Sequence, residues 1–483
     1  MNEKSKIIKG GFWTGMSSAV TMLSQFARIM ILTRFIDRSD FGVVAIINMI
    51  IGLCLAFGDL GFSSVIMYKQ NISEKEFSSL YWLQLILYSI IYSVLCILSP
   101  IFSSFYGNEF LVVLIPLAAF SLLSLAIGKL YESVLQKKYE FRILSIRNIV
   151  SNVLSLFLAW WMAWEGYGIY SLIISTLFQN LFYNIWSLLA GLKYQKIIFY
   201  FNYRETKPLL KIGIYQTYTR IADYFSTQLD VLIIGKLLGT DVLGGYDLAK
   251  QLVSRFVTFF KQTVAQVALP VLANSNSDDA SVKNKFFSVT KIVALICIPI
   301  CFTIAVFSRE ILTIVYGSKY ADMAIVASIF SLMTMITSIT CFIDMLGIAK
   351  GRTDLNFKNT IYRIIFTTPM VVVTSLYSIN LVAFGQLLAS IVLSYVFWRV
   401  VAMKTYPMRL KEYLKLFANY FIVWFIMSAS LYVVKDVLCV FSFVDNSLIQ
   451  LLLYGLLGFS MVLISYFTIL KQEIVFLLSL IKK

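Results

Sequence analysis

Apolar residues recur along this chain in long stretches, each separated from the next by a short polar or charged segment. A helix of about 20 apolar residues spans the hydrocarbon core of a bilayer, so each stretch is a candidate transmembrane helix. Fourteen stretches fit, and they are 12–33, 41–65, 79–104, 110–131, 144–164, 168–191, 209–237, 244–270, 288–308, 321–349, 359–376, 379–400, 413–434 and 447–470. The pattern predicts an all-α polytopic membrane protein.

The second third of the chain repeats the first in frame. Gly11, Ile31, Arg34, Phe35 and Gly42 return 202 positions later as Gly213, Ile233, Lys236, Leu237 and Gly244. Apolar segments keep the same order around these matches, as in transporters whose substrate path lies between two related halves. The repeat predicts six-helix halves at 1–200 and 201–402 around a central cleft, with two additional helices at 403–483.

Composition agrees with a membrane location and indicates the orientation. Of the 483 residues, 59% are hydrophobic and 14% charged, and mean hydropathy is +0.81, far above soluble domains. With the N-terminus placed inside, most of the 41 Lys and Arg fall in cytoplasmic tails and loops. We therefore expect a multi-pass membrane protein with both termini in the cytoplasm. The net charge of +16 is then a topology signal, and we expect no nucleic-acid partner.

The chain lacks the groups that most enzymes and metal sites use. It has no histidine, and its six cysteines lie in or beside apolar segments without ligand spacing. No Walker lysine loop, zinc motif or nucleophile elbow occurs. We predict no catalytic residue, no metal and no cofactor, while coupling to a proton or sodium gradient stays open. A membrane glycosyltransferase or polymerase is the enzymatic alternative, which the short outer loops disfavour.

Polar and ionisable residues inside the first, seventh and eighth segments are the candidate substrate-binding residues. A charge at the membrane centre costs roughly 2.5 kcal/mol or more, so it normally faces a partner or a water-filled cavity. These residues recur at helical spacing on one face of each segment. The predicted lumen set is Gln25, Arg28, Arg220, Asp223, Lys250 and Arg255. Its cations suit an anionic ligand such as phosphate. The alternative is that they form helix contacts or reach the interface, as we expect for Lys129.

The repeat also relates charges of opposite sign. At the 202-residue offset Arg28 matches Asp230, and Asp59 matches Lys261. Equivalent positions in two repeats share a depth in the membrane. We predict that the two pairs are outer and inner gate contacts, broken alternately during transport, with chance placement as the rival explanation.

Five stretches of the sequence resemble those of one family. They are Phe57–Ser64, Ile72–Leu83, Leu135–Arg142, Asp230–Gly239 and Gly244–Tyr246. Their order and spacing resemble the Wzx-type polysaccharide flippases of the multidrug/oligosaccharidyl-lipid/polysaccharide exporter superfamily, in the branch that includes colanic acid exporters. The resemblance runs from about residue 7 to residue 400.

This resemblance implies an inner-membrane flippase that moves an undecaprenyl-diphosphate-linked oligosaccharide to the outer leaflet by alternating access. Its partners would be that substrate and membrane lipids, and could include the polysaccharide polymerase and assembly proteins. In the related lipid II flippases, an arginine that follows an alanine in the first helix helps bind diphosphate, as Arg28 after Ala27 would here. Asp40 is only a loose counterpart of their acidic residue in helix 2, so that role is not carried over.

Two other functions remain open at the level of the sequence. The main alternative is a drug or metabolite cation antiporter of the same superfamily, which a slight surplus of deep basic residues disfavours. A non-transporting scaffold of polysaccharide assembly is the third, although it would not need polar helix faces.

Exchanging the charges within each predicted gate tests that hypothesis. Arg28→Asp or Asp230→Arg alone should abolish transport, because like charges then face each other. The double exchange should restore transport, as should Asp59→Lys with Lys261→Asp. Substrate transport by the single and double variants is the measurement, and no rescue in either pair would contradict the gates.

Overall fold

The computed structural model describes residues 3–58, 60–69, 72–273, 279–350, 352–406 and 408–440, and these residues contain helices and no strand. The helices are α1 (Glu3–Leu32), α2 (Arg38–Gly58), α3 (Phe62–Tyr68), α4 (Glu74–Tyr106), α5 (Leu111–Lys137), α6 (Phe141–Trp164), α7 (Ile169–Gly191), α8 (Tyr203–Leu237), α9 (Gly239–Ala273), α10 (Asp279–Val306), α11 (Ser308–Val315), α12 (Ala324–Thr340), α13 (Ile343–Ala349), α14 (Thr353–Ser375), α15 (Ile379–Phe397), α16 (Met403–Thr405) and α17 (Leu410–Val440). A 3-10 helix at Ser318–Met323 and a π-helical turn at Trp398–Ala402 complete the chain's helical segments within this range.

Each of the first thirteen predicted segments overlaps a helix of the structure, which confirms the all-α membrane architecture. Within the described ranges, eight helical stretches are long and apolar enough to cross a membrane. The long helices α8 and α9 are not among the eight, and they carry two of the predicted polar faces. The fourteenth segment, 447–470, lies outside the described residues, so the total of fourteen stays a prediction.

Two predicted segments are each divided by a break that hydropathy did not indicate. Segment 41–65 becomes α2 and α3, because the backbone turns through left-handed conformations at Leu60 (φ 34°) and Gly61 (φ 75°). Glycine adopts that conformation readily, and the sequence Gly58-Asp59-Leu60-Gly61 is a turn signal that the hydropathy pattern alone did not take into account. Segment 321–349 is divided into α12 and α13 at Cys341 and Phe342, without a left-handed residue.

The helices pack into two compact units, and the boundary falls between Asp247 and Leu248 within α9. In the first unit, α5 packs against α4 and α7, α1 packs against α6, and α2 packs against α8. In the second unit, α10 packs against α12 and α17, and α15 packs against α12 and α14. This division follows packing and not duplication, so the repeat boundaries after residues 200 and 402 stay predictions.

Helices α2 and α9 cross at two glycines that the repeat makes equivalent. A Cβ atom added to Gly42 would lie 1.9 Å from the carbonyl oxygen of Thr240, and one added to Gly244 would lie 2.0 Å from that of Arg38. Arg38 and Thr240 are themselves separated by the 202-residue offset, so each helix offers the other the same two positions. Such reciprocity is the mark of a two-fold contact. The residues that the repeat makes equivalent, Arg38 with Thr240 and Gly42 with Gly244, therefore form two equivalent backbone contacts in the structure.

Replacing Gly42 with alanine should destabilise the protein, because the added methyl group meets backbone and not a flexible side chain. Overpacking of this kind costs about 1–3 kcal/mol, so we expect a lower melting temperature in detergent for Gly42→Ala. Gly15→Ala in α1 is the matched control, since a Cβ there meets no atom within 4 Å. Equal melting temperatures for the two variants would contradict the close crossing.

Candidate functional site

Among the described residues of the first unit, α2 contributes to the walls of three cavities. The charged cavity, of ≈ 550 Å³, is lined by Gly52, Leu55, Ala56, Tyr88, Leu125, Lys129, Arg220, Asp223, Tyr224 and Thr227. The polar cavity, of ≈ 250 Å³, lies between α2, α5 and α7 and shares Gly52, Leu55 and Leu125 with the charged cavity. The apolar cavity, of ≈ 320 Å³, lies between α2, α4 and α8. Charged, polar and apolar surfaces thus adjoin one another around a single helix.

Helix α8 supplies most of the charge of the charged cavity. Arg220, Asp223 and Thr227 line it together, because residues three to four apart share one face of a helix. Arg220 is exposed in this structure, and Asp223 is half-buried. The Thr227 hydroxyl donates to the carbonyl oxygen of Asp223 at 3.0 Å, so that hydroxyl is satisfied within the helix. The structure therefore brings the predicted residues Arg220 and Asp223 to one cavity wall, while their part in binding stays a prediction.

Lys129 links the charged cavity to a buried network that the sequence patterns did not indicate. Its Nζ lies 3.1 Å from Oε2 of Glu132, whose Oε1 accepts a hydrogen bond from the Tyr183 hydroxyl at 2.6 Å. The same Oε1 lies 3.6 Å from Nη2 of Arg147. The Arg147 guanidinium stacks 3.5 Å from the centroid of the Tyr183 ring and donates to Ser187 Oγ. Three helices, α5, α6 and α7, are joined through these polar side chains.

This network carries two cations for one carboxylate. Arg147 is 1% exposed, and its Nε has no hydrogen-bond partner among the described residues, so the charge of Glu132 is its main compensation. Lys129 is 35% exposed, and we expected its side chain to reach the membrane interface. In the structure its ammonium group instead lies beside Glu132, and Lys129 lines the charged cavity. The three-residue spacing of Lys129 and Glu132 was the available sequence signal. Nothing in the sequence indicated that Arg147 joins them from another helix.

Arg28 reaches from α1 to α7. Its Nη2 lies 2.9 Å from the carbonyl oxygen of Leu172, 2.9 Å from Ser175 Oγ and 2.5 Å from Thr176 Oγ1. Thr176 also lines the polar cavity, so Arg28 contacts a residue of the cavity wall without being among the residues that line it. Gln25, the other predicted residue of α1, is exposed.

Asp230 is buried at the junction of α8 and α9. It is 7% exposed, and its carboxylate accepts hydrogen bonds from the Tyr246 hydroxyl at 2.5 Å and from the backbone N–H of Val231 at 2.9 Å. Asp230 and Tyr246 belong to two of the five stretches that carry the family resemblance, so those stretches hold the helix junction together. The predicted gate between Arg28 and Asp230 stays a prediction, and Asp59 of the other gate lies outside the described residues.

The remaining predicted residues lie on α9 beyond the unit boundary. Lys250, Arg255 and Lys261 are half-buried in the second unit, and Nη2 of Arg255 lies 2.5 Å from Oε1 of Gln251. Their participation in one substrate path with Arg220 stays a prediction.

Two further stretches of the resemblance have structural roles near the α2–α3 break. Ser73 and Glu76 form a capping box at the start of α4, and Glu76 pairs with Lys69 at the end of α3. Lys137 donates to the carbonyl oxygens of Ile66 and Lys69, which α3 leaves without helical partners. These contacts fix the short helix α3 between α4 and α5.

The fold defined by these helices is that of a lipid-flippase-type transporter. The structure of the lipid II flippase MurJ in its inward closed conformation superimposes with a TM-score of 0.74, covering 97% of this chain and 100% of that one at 19% sequence identity. Residues 31–325 match the family described as polysaccharide biosynthesis protein, and this chain belongs to that family. The resemblance found in the sequence is thereby confirmed.

Curated relatives cover about three quarters of the chain. Teichuronic acid biosynthesis protein TuaB of Bacillus subtilis strain 168 is 25% identical over 73% of this chain and 73% of its own length. Lipopolysaccharide biosynthesis protein WzxC of Escherichia coli K12 is 24% identical over 77% of this chain and 76% of its own length. Both names place the relatives in the synthesis of surface polysaccharides.

Removing the carboxylate of Glu132 should destabilise the protein strongly, because Arg147 would stay buried without its counter-charge. Breaking one partner of a buried ion pair costs about 3–5 kcal/mol, whereas replacing both by apolar groups is often neutral. We expect a lower melting temperature for Glu132→Gln, and recovery of most of the loss in Glu132→Leu with Arg147→Met. Lys129→Met should have a smaller effect, since Lys129 is partly exposed. An unchanged melting temperature in Glu132→Gln would show that Arg147 does not depend on this carboxylate.

Proposed function

We propose that this protein flips an undecaprenyl-diphosphate-linked oligosaccharide repeat unit across the bacterial cytoplasmic membrane, by alternating access, for surface polysaccharide synthesis. Membership of the polysaccharide biosynthesis family and the names of the relatives support this function. The observation that carries it is the charged cavity, in which Lys129 and Arg220 face a common space within a bundle of apolar helices. The ligand such a space suits is an anion attached to a lipid.

The diphosphate would bind between these two cations. A guanidinium such as that of Arg220 pairs with two phosphate oxygens at once, and an ammonium such as that of Lys129 adds a point charge. The ammonium group of Lys129 already contacts Glu132, so it would contact both that carboxylate and the bound diphosphate. Asp223, on the same wall as Arg220, would supply negative charge to the cavity when no substrate is present.

The sugars would extend into the polar cavity. Its wall includes Asn48, Ser121, Thr176 and Asn180, which can donate and accept hydrogen bonds as sugar hydroxyls require. Arg28 would then act on this wall through its contact with Thr176. Because the polar and charged cavities share Gly52, Leu55 and Leu125, one substrate could occupy both.

The orientation and energy source are part of the same proposal. The distribution of Lys and Arg supports cytoplasmic termini, which would place the entry of the substrate on the cytoplasmic side. Coupling to a proton or sodium gradient would use a carboxylate, and Asp223 is a candidate because it faces the cavity. After flipping, the lipid-linked unit would pass to the polymerase and assembly proteins at the outer face.

Deletion of the gene distinguishes this function from its main alternative, a drug or metabolite cation antiporter. A flippase deletion should remove surface polysaccharide and cause lipid-linked repeat units to accumulate inside the cell. Increased drug sensitivity with normal polysaccharide would support the antiporter instead.

Substitutions of residues that line the charged cavity, measured with purified protein in vesicles, test the site itself. Arg220→Gln and Lys129→Gln should each weaken substrate binding, because a hydrogen bond to a charged group contributes about 1.5–3 kcal/mol, or roughly tenfold to a hundredfold in affinity. We expect a comparable fall in the rate at which purified protein flips lipid-linked oligosaccharide in vesicles. Lys193→Gln, on the exposed loop after α7, is the control and should keep the wild-type rate. Equal rates for all three variants would contradict the charged cavity as the diphosphate site.

A further inference from the structure

The apolar cavity and the charged cavity lie on neighbouring faces of α2. Its wall on α2 includes Leu53 and Phe57, whereas Gly52 and Ala56 face the charged cavity. Helices α4 and α8 complete the apolar wall, which contains one amide side chain, that of Gln228, and no charged group among the described residues. Such a surface suits a hydrocarbon ligand.

Tyr224 is the one described residue that lines both the apolar and the charged cavity. Its hydroxyl donates to the carbonyl oxygen of Met49 at 2.8 Å, which fixes α8 against α2. The contact requires glycine at position 52, since a Cβ there would lie 2.2 Å from the Tyr224 hydroxyl oxygen. A single phenol ring therefore separates a cationic space from an apolar one.

The dimensions and exposure of the apolar cavity suit one lipid chain entering from the bilayer. Its wall on α4 extends from Ile90 to Phe102, about 18 Å at a rise of about 1.5 Å per residue. This length is just over half of a hydrocarbon core of about 30 Å. Ile90 and Val94 are 55% and 45% exposed, so the cavity opens between helices towards the surrounding lipid.

We propose that the apolar cavity binds the part of the substrate's polyprenyl chain nearest the diphosphate, while the diphosphate occupies the charged cavity. This inference rests on the proposed function and adds the site of the lipid chain. An amphiphile whose anionic head lies beside Lys129 and Arg220 has its first hydrocarbon units next to Tyr224, at the end of an apolar channel. Ordinary phospholipid has a hydrocarbon chain as well, but the adjoining cationic cavity favours a chain that carries a diphosphate.

Photolabelling of the full-length protein in lipid nanodiscs tests the location. The probe is undecaprenyl diphosphate with a diazirine on an isoprenoid unit close to the diphosphate, and the labelled peptides are identified by mass spectrometry. We expect labelling between Ile90 and Phe102 of α4, reduced at least fivefold by excess unlabelled undecaprenyl diphosphate and unchanged by phosphatidylglycerol. Labelling that phosphatidylglycerol removes equally well would show an ordinary lipid site and overturn the proposal.

A pair of tryptophan variants on α4 tests the contribution of the cavity to transport. Val94→Trp should fill the channel and reduce both photolabelling and flipping at least tenfold. Ile97→Trp is the matched control, because Ile97 is 73% exposed on the same helix and does not line the cavity, so its rate should stay within twofold of wild type. The melting temperature of Val94→Trp in detergent should stay close to that of wild type, which shows that the variant is folded.

The outcomes separate this proposal from the function on which it rests. If wild-type protein flips lipid-linked oligosaccharide and Val94→Trp flips the full-length substrate equally well, the apolar cavity is not the chain site, and the function stands. If Val94→Trp is folded and loses transport but keeps the wild-type level of photolabelling on α4, the effect is not specific to the chain and the proposal is overturned. If wild-type protein does not flip lipid-linked oligosaccharide, the proposed function itself fails.

Discussion

The close crossing of α2 and α9 at Gly42 and Gly244 determines where α2 lies, and the charged, polar and apolar cavities all have α2 in their walls. The crossing brings backbone against backbone, so no side chain can repack to absorb a displacement. From this fixed position α2 presents an apolar face to α4 and a face with small and polar residues to α5 and α7. The three spaces are consequences of that placement.

The ion-pair network around Glu132 shows how a positive site can persist among apolar helices. An isolated arginine in this environment would be costly, and Arg147 is accommodated because a carboxylate, an aromatic ring and a hydroxyl surround it. The network holds α5, α6 and α7 together and leaves Lys129 at the cavity edge. On the proposed function, stability and substrate binding would therefore depend on the same carboxylate, although Arg147 itself is not among the residues that line the cavity.

The sequence predicted the elements of this protein better than their breaks and contacts. Helical periodicity located Arg220 and Asp223 on one face because both belong to a single helix, where spacing alone fixes direction. The turn at Leu60 and Gly61 was missed because the segment was located by its average hydropathy, although Gly58, Asp59 and Gly61 are residue types that favour turns. Glu132 and Arg147 were missed because their contact joins two helices, and a single sequence does not record which helices are neighbours. The repeat is the exception, since its 202-residue offset relates Gly42 to Gly244, and the crossing of α2 and α9 explains both glycines. The same offset relates Arg28 to Asp230. In the structure, Arg28 contacts Ser175 on α7, and Asp230 accepts a hydrogen bond from Tyr246.

The separation of the polar and apolar cavities has a consequence for how such a protein can diverge in evolution. On the two proposals, the glycan is recognised in the polar cavity and the lipid chain in the apolar cavity, and the described residues that line one do not line the other. Substitutions at Asn48 or Asn180 on the polar wall can then alter sugar selectivity without disturbing carrier recognition. Selection would then be able to change sugar specificity without changing recognition of the lipid chain, which is consistent with relatives named for the biosynthesis of teichuronic acid and of lipopolysaccharide.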